Sequence, residues 1–130
     1  MLCPVIFMRC DIIFHEEVLM KQIESAEIKL ELDGILFTWD DEKEKINIRK
    51  HGIDFTVAAA VFFDAYADCE FNSFDEATGE ERFSITGWFA GKVMFIVYVE
   101  RVTVNGNDII RIISAREATR KEKMRYANGA

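Results

Sequence analysis

The chain has 130 residues, 50% of them hydrophobic and 30% charged, with a single proline and a mean hydropathy of +0.01. A chain of that length buries enough surface for one core and leaves no room for a second, which excludes disorder as its governing state. Sixteen basic residues against 23 acidic ones give a net charge of −7, the wrong sign for a protein that coats nucleic acid through bulk charge.

Along the first residues, Arg9 and Asp11 break the apolar stretch Met1–Phe14, so no run reaches the roughly 18–20 residues of a spanning helix. The stretch also lacks the basic start and small-residue cleavage site of a signal peptide. A cytoplasmic protein that meets no membrane is expected. Cys3, Cys10 and Cys69 are odd in number and form no paired spacing with histidines, so buried thiols are expected rather than a zinc or disulfide framework. Nothing in the pattern asks for a metal or a cofactor.

His15–Glu27 has helix-forming composition, with Val18, Leu19, Ile23 and Ala26 roughly on one side. Met20 offers an alternative start, which would make everything before it an extension. Ile28, Leu30 and Leu32 then alternate with Lys29, Glu31 and Asp33, and Asp33-Gly34 leads into Ile35-Leu36-Phe37. Asp-Gly tolerates the positive φ angles of a tight turn, so a hairpin is expected. Asp40–His51 reads as a helix. Asp40, Asp41 and Glu42 suit its positive N-terminus, and Lys50, His51 and Gly52 suit its C-terminus and a left-handed cap. Asp54 is the expected N-cap of a second helix with Phe55, Ala58, Ala59, Phe62 and Phe63 along its buried stripe.

Ala67–Ser73 reads as a strand, and the acidic connection Asp75–Glu81 follows. Arg82–Trp88 and Val93–Arg101 read as a hairpin turning at Ala90-Gly91, and Asn105-Gly106-Asn107 turns the chain into Asp108–Ser114. Ser114-x-x-Glu117 has the form of a capping box and is expected to open a last helix reaching Tyr126. Helices segregated from strands predict an α+β fold: a small antiparallel sheet, two consecutive helices before the main strands, and one C-terminal helix.

The chemical inventory is thin. There are two histidines, no H-E-x-x-H, no glycine-rich phosphate loop and no G-x-S-x-G. What remains is cationic. Lys43, Asn47, Lys50 and His51 fall at i, i+4, i+7 and i+8 and share a helix face, which is either a solvated face answering the helix dipole or part of a site. Residues 111–130 carry Arg111, Arg116, Arg120, Lys121, Lys123 and Arg125 against Glu117 and Glu122, a basic segment on an acidic body. Arg82 and Arg101 lie at strand ends and Arg111 within a strand. Arg116, placed in the first turn of the expected last helix, stands against the dipole, a local misfit that points either to an ion pair or to use elsewhere. Trp39 and Trp88 serve either as core or as stacking surfaces for bases. Phe55, Phe62, Phe63, Phe83, Phe89 and Phe95 are expected in the core, and His15 as structural or solvent-exposed.

Three segments resemble one family. They are Phe37-Thr38-Trp39-Asp40-Asp41-Glu42-Lys43 continuing to Asn47-Ile48-Arg49-Lys50-His51-Gly52-Ile53-Asp54-Phe55, then Gly79–Gly87, then Ile110-Arg111-Ile112-Ile113-Ser114-Ala115-Arg116-Glu117 to Glu122. Together they resemble the BrnT toxins over about residues 35–126. The resemblance divides the chain into an N-terminal extension, residues 1–34, and a toxin-like domain, residues 35–130.

It implies a RelE-like fold and a metal-independent RNA endonuclease of a type II toxin–antitoxin pair. The implied partner is a ribbon-helix-helix antitoxin, BrnA, that neutralises the toxin and represses their shared operon, so DNA is met only through the antitoxin. The implied chemistry is attack of a ribose 2′-hydroxyl on the adjacent phosphate. Such a reaction needs a base, an acid and cations on the phosphate oxygens. On this resemblance His51, Lys50, Arg82 and Arg116 are the catalytic candidates, and Lys43, Arg111 and Tyr126 the RNA- or phosphate-binding ones. A homodimer within the toxin–antitoxin complex is a further expectation. The competing reading is a RelE-like module that binds or regulates without cutting RNA.

Overall fold

The computed structural model describes residues 28–102 and 106–129. The helix expected over His15–Glu27, with His15 itself, Cys3, Cys10 and Asn105, lies outside these residues. The strands are β1 (Ile28–Leu32), β2 (Ile35–Thr38), β3 (Asp68–Asp75), β4 (Glu80–Phe89), β5 (Lys92–Val102) and β6 (Asp108–Glu117). The helices are α1 (Asp41–His51), α2 (Phe55–Ala60), continued by a 3-10 turn Val61–Phe63, and α3 (Arg120–Ala127). They form one six-stranded sheet in the order β1-β2-β6-β5-β4-β3, antiparallel except where β2 runs parallel to β6, with Leu36 to Thr38 opposite Ile109 to Arg111. This is the expected α+β fold, with its last strand inserted beside the first hairpin.

Local chemistry accounts for the elements. The β1–β2 turn places Asp33 at φ 49° and Gly34 at φ 85°, the left-handed pair that lets a two-residue turn follow the strand twist. Asp40 caps α1 by accepting from the N–H groups of Glu42 (2.8 Å) and Lys43 (3.1 Å). Gly52 ends that helix at φ 70°, donating its N–H to the Ile48 carbonyl at 2.8 Å. Asp54 caps α2 through the Val57 N–H at 2.8 Å, and the Glu44 carboxylate takes the Phe55 N–H at 2.9 Å, tying the two helices corner to corner.

Strand alternation makes the sheet two-sided. Phe83 and Ile85 on β4, Met94, Ile96 and Tyr98 on β5, and Ile110, Ile112 and Ala115 on β6 form one core with Phe37, Phe55, Ala58, Ala59, Val61 and Phe62. An aromatic chain runs through it, with ring centroids 5.5 Å apart for Phe37–Phe62, 4.8 Å for Phe62–Tyr98 and 6.1 Å for Phe83–Tyr98. Trp39 belongs to the core, edge-on to Phe55 at 5.9 Å, whereas Trp88 is 51% exposed.

Three expectations need correction. Phe89 is exposed, since it ends β4 beside the Ala90-Gly91 turn, and Phe95 is only half-buried because it lies on the sheet face opposite the core. Ser114-x-x-Glu117 opens no helix: Val97 to Met94 pair with Ser114 to Glu117, and Ala115 is fully buried in the core, so pairing and burial carry the strand on. The capping box is Thr119-x-x-Glu122, the same motif five residues later, and Arg116 is therefore a strand residue. Cys69, half-buried on β3, is disulfide-bonded and no free thiol.

Gly87 marks the tightest approach. A Cβ there would sit 2.7 Å from Val61 Cγ1 and 3.3 Å from Ala67 Cβ, so only glycine lets the 3-10 turn lie flat on β4. Gly87→Ala is expected to cost about 1–3 kcal/mol through overpacking. In urea unfolding, combining it with Val61→Ala should cost less than the sum of the two single changes.

Candidate functional site

Sequence spacing puts Lys43, Asn47, Lys50 and His51 on one face of α1, and the structure divides their duties. Asn47 is buried. Its Nδ2 donates to the carbonyls of Ala115 (2.7 Å) and Ile53 (2.9 Å), and its Oδ1 accepts the Ala115 N–H at 3.0 Å. Because β2 pairs with β6 only as far as Arg111, the edge of β6 beyond that point is open, and the Asn47 carboxamide supplies the donor and acceptor a further strand would have supplied. Lys43, Lys50 and His51 are exposed around it. Among the described residues their side chains have no hydrogen-bond or ion-pair partner. The clasp holds the last turn of α1, with Lys50 and His51, against Ala115, the residue that precedes Arg116.

Arg116 points to the sheet face opposite the core that α2 covers. Its guanidinium lies 4.2 Å from the Phe95 ring centroid and is held two-pronged by Glu122, at 2.8 and 3.0 Å. That hydrogen bonding raises the Arg116 pKa and, by the same contact, lowers that of Glu122. Glu122 also accepts the Thr119 N–H at 2.8 Å, so one carboxylate caps α3 and aims Arg116. The arginine that looked misplaced against a helix dipole is a strand residue whose partner comes from the helix that follows.

Arg82 and Arg111 stand at the other end of the same face. Arg111 pairs with Val99 and Arg116 with Phe95, four residues apart on β5, or about 13 Å. Glu80, whose side chain is 10% exposed, accepts from Arg111 at 2.8 Å and also from Arg101. Arg82 pairs with Asp75 at 3.1 Å, while its Nε is buried without an acceptor among the described residues. Three guanidiniums thus meet two carboxylates directly opposite each other on β3 and β4. The Asn47 clasp ties α1, the helix of Lys50 and His51, to β6 next to Arg116, while Arg111 lies at the other end of that strand.

Tyr126 is committed to structure. Its hydroxyl donates to Asp64 Oδ2 at 2.5 Å; burial, then this hydrogen bond and the Asp64 charge, push its pKa up to about 12. Burial acts to raise the Asp64 pKa, but the Tyr126 hydroxyl and the N–H groups of Trp88 and Tyr66 outweigh it and hold the carboxyl below its ordinary value. Asp64, Glu80 and Asn47 were not singled out as supports in the sequence. Glu122 had a readable signal, the second capping-box spacing; Asp64 and Glu80 had none.

A sheet with α2 and its 3-10 turn packed on one face and fixed guanidiniums on the other defines a small α+β domain able to offer hydrogen-bond donors to phosphate oxygens. The chain belongs to the BrnT family, matching over residues 39–122 the family model described as ribonuclease toxin, BrnT, of type II toxin-antitoxin system. Membership makes it one of the ribonuclease toxins of type II toxin–antitoxin systems, with an antitoxin as partner. The match includes Lys43, Lys50, His51, Arg82, Arg111 and Arg116 and stops short of Tyr126. No curated protein matches the chain. No helix among the described residues is long and apolar enough to cross a membrane.

Asn47→Ala leaves three buried backbone groups without partners and is expected to cost about 2–4 kcal/mol in urea unfolding. Asn47→Asp should be at least as harmful, because it sets a carboxylate against two carbonyl oxygens. Asp64 and Glu122, both held below their ordinary pKa, contribute stability that is present above the unfolded value and lost as pH falls through the folded one. Tyr126→Phe should therefore move the acid unfolding midpoint, followed by circular dichroism, to higher pH.

Proposed function

We propose that the chain is a metal-independent RNA endonuclease that arrests translation and growth, cutting by 2′-hydroxyl attack on the adjacent phosphate. The observation that supports the reading is the Asn47 clasp, which ties the helix carrying Lys50 and His51 to Ala115, the residue before Arg116 on β6. His51 exchanges the proton, since an imidazole can both take a proton and give one back. Lys50 and Arg116 meet the charge that builds on the phosphate oxygens. Arg116 is already flat on Phe95 with its prongs aligned by Glu122, so a phosphate displaces a carboxylate from a guanidinium that needs little reordering. Lys43, Arg82 and Arg111 hold the RNA backbone to either side. Tyr126 acts only by bracing α3 through Asp64.

The antitoxin is of ribbon-helix-helix type, DNA is reached only through it, and the pair works in the cytoplasm. A binding module that no longer cuts RNA is the competing reading. It is disfavoured by the survival of the whole cationic set, which an enzyme released from its chemistry has no reason to keep.

Inducing the chain with and without its neighbouring gene, and mapping RNA 5′ ends, tests the proposal. New ends that persist in a metal chelator, and a fall of about 100-fold or more in cleavage for His51→Ala, are expected. Arg116→Lys should lose about 10-fold, as a point charge replaces a two-pronged contact. Intact RNA and normal growth despite a folded chain would establish the binding module instead.

A further inference from the structure

The proposed reaction makes no use of an open apolar groove beside the β1–β2 turn. Leu32, Ala60, Phe63, Tyr66, Trp88 and Phe89 line a groove of about 600 Å³, and Tyr66, Trp88 and Phe89 are 81%, 51% and 39% exposed. Three large aromatic side chains gathered on one open concavity are the composition of an interface centre rather than of ordinary surface. The groove is also braced. Asp64 accepts the Trp88 N–H at 2.8 Å and the Tyr66 N–H at 2.9 Å, so one carboxylate fixes the backbone of both walls, and the contact of Gly87 with Val61 fixes the floor behind them. A surface shaped before its partner arrives loses little freedom on binding.

Its charge selects the occupant. Among the described residues, Asp33 and Asp64 are the charged members of the lining, and no lysine or arginine joins them. A phosphate backbone is repelled there. A second copy would bring the same acidic rim and its own −7 charge against the first. An extended or helical peptide with apolar side chains and a lysine or arginine satisfies both the aromatic walls and the rim.

We propose that this groove is the seat of an apolar, basic segment of the antitoxin, which grips the toxin away from the cationic face. The proposal rests on the toxin–antitoxin membership and is independent of the chemistry assigned to His51.

Trp88 reports on the groove directly, because the other tryptophan, Trp39, is 9% exposed and forms a constant background. Titrating the purified antitoxin encoded beside this chain into the full chain should shift the tryptophan emission to the blue, and Trp88→Phe should abolish the shift. Trp88→Ala and Tyr66→Ala, at exposed positions that leave the core intact, should each weaken antitoxin binding roughly 30-fold or more with RNA cleavage by the free chain unchanged. His51→Ala should bind the antitoxin normally. Antitoxin binding with no emission shift and unaltered affinity in both alanine variants overturns the proposal. So does a shift produced by a single-stranded RNA oligonucleotide but not by the antitoxin, or one produced by raising the chain's own concentration. A chain that cuts no RNA but whose Trp88 still responds to the antitoxin would sink the proposed reaction and leave the groove assignment standing.

Discussion

The carboxamide of Asn47 is the contact on which the arrangement of this protein turns. β2 is only four residues long and leaves the second half of β6 with exposed backbone groups on one side, a condition that invites pairing with another chain. A single side chain meets both groups at Ala115, and the same amide holds the loop after α1 through Ile53. The sheet edge, the end of α1 and the start of α2 are thereby joined at one point. The cationic side chains around it are free to face solvent because a neutral residue, and not one of them, does the anchoring.

Elsewhere the acidic character of the chain works as scaffolding for its arginines. Arg82, Arg101, Arg111, Arg116 and Arg125 each meet a carboxylate. Half-exposed pairs of this kind add little to stability, but they restrict the rotamers of long side chains and set guanidinium planes in advance. Lys43 and Lys50 on α1 are treated oppositely and have no ion-pair partner among the described residues. An overall charge of −7 is thus compatible with a face that presents organised positive groups, because Asp75, Glu80 and Glu122 are placed against its arginines.

The parts legible in the sequence were those that local chemistry decides. Asp33-Gly34, Asp40 with Gly52, and Asp54 each specify a turn or cap within a few residues, and the structure places them as expected. The failures came where distant partners decide. Ser114-x-x-Glu117 and Thr119-x-x-Glu122 are equivalent as local signals; only pairing of Ser114–Glu117 with β5 selects the second. Phe89 reads as core by composition and is exposed because the strand ends there. Asn47 shares a face with three cations by spacing, and nothing local reveals that it faces β6 while they face water. The candidate site was legible as a set of residues but not as two separated groups, since the 13 Å or so between Arg111 and Arg116 follows from the register of β5 and β6.

The position of β6 also orders events during synthesis. β3, β4 and β5 are neighbours in the chain and can zip together as they emerge, whereas the β1–β2 hairpin has nowhere to dock until β6 arrives and wedges between it and β5. Contacts between segments so far apart form late, because the intervening loop must be closed first. The Asn47–Ala115 clasp and the Glu122 hold on Arg116 both need that last strand. A growing chain therefore carries the lysines and histidine of α1 long before they have a setting, and that setting forms only once β6 and α3 have been made.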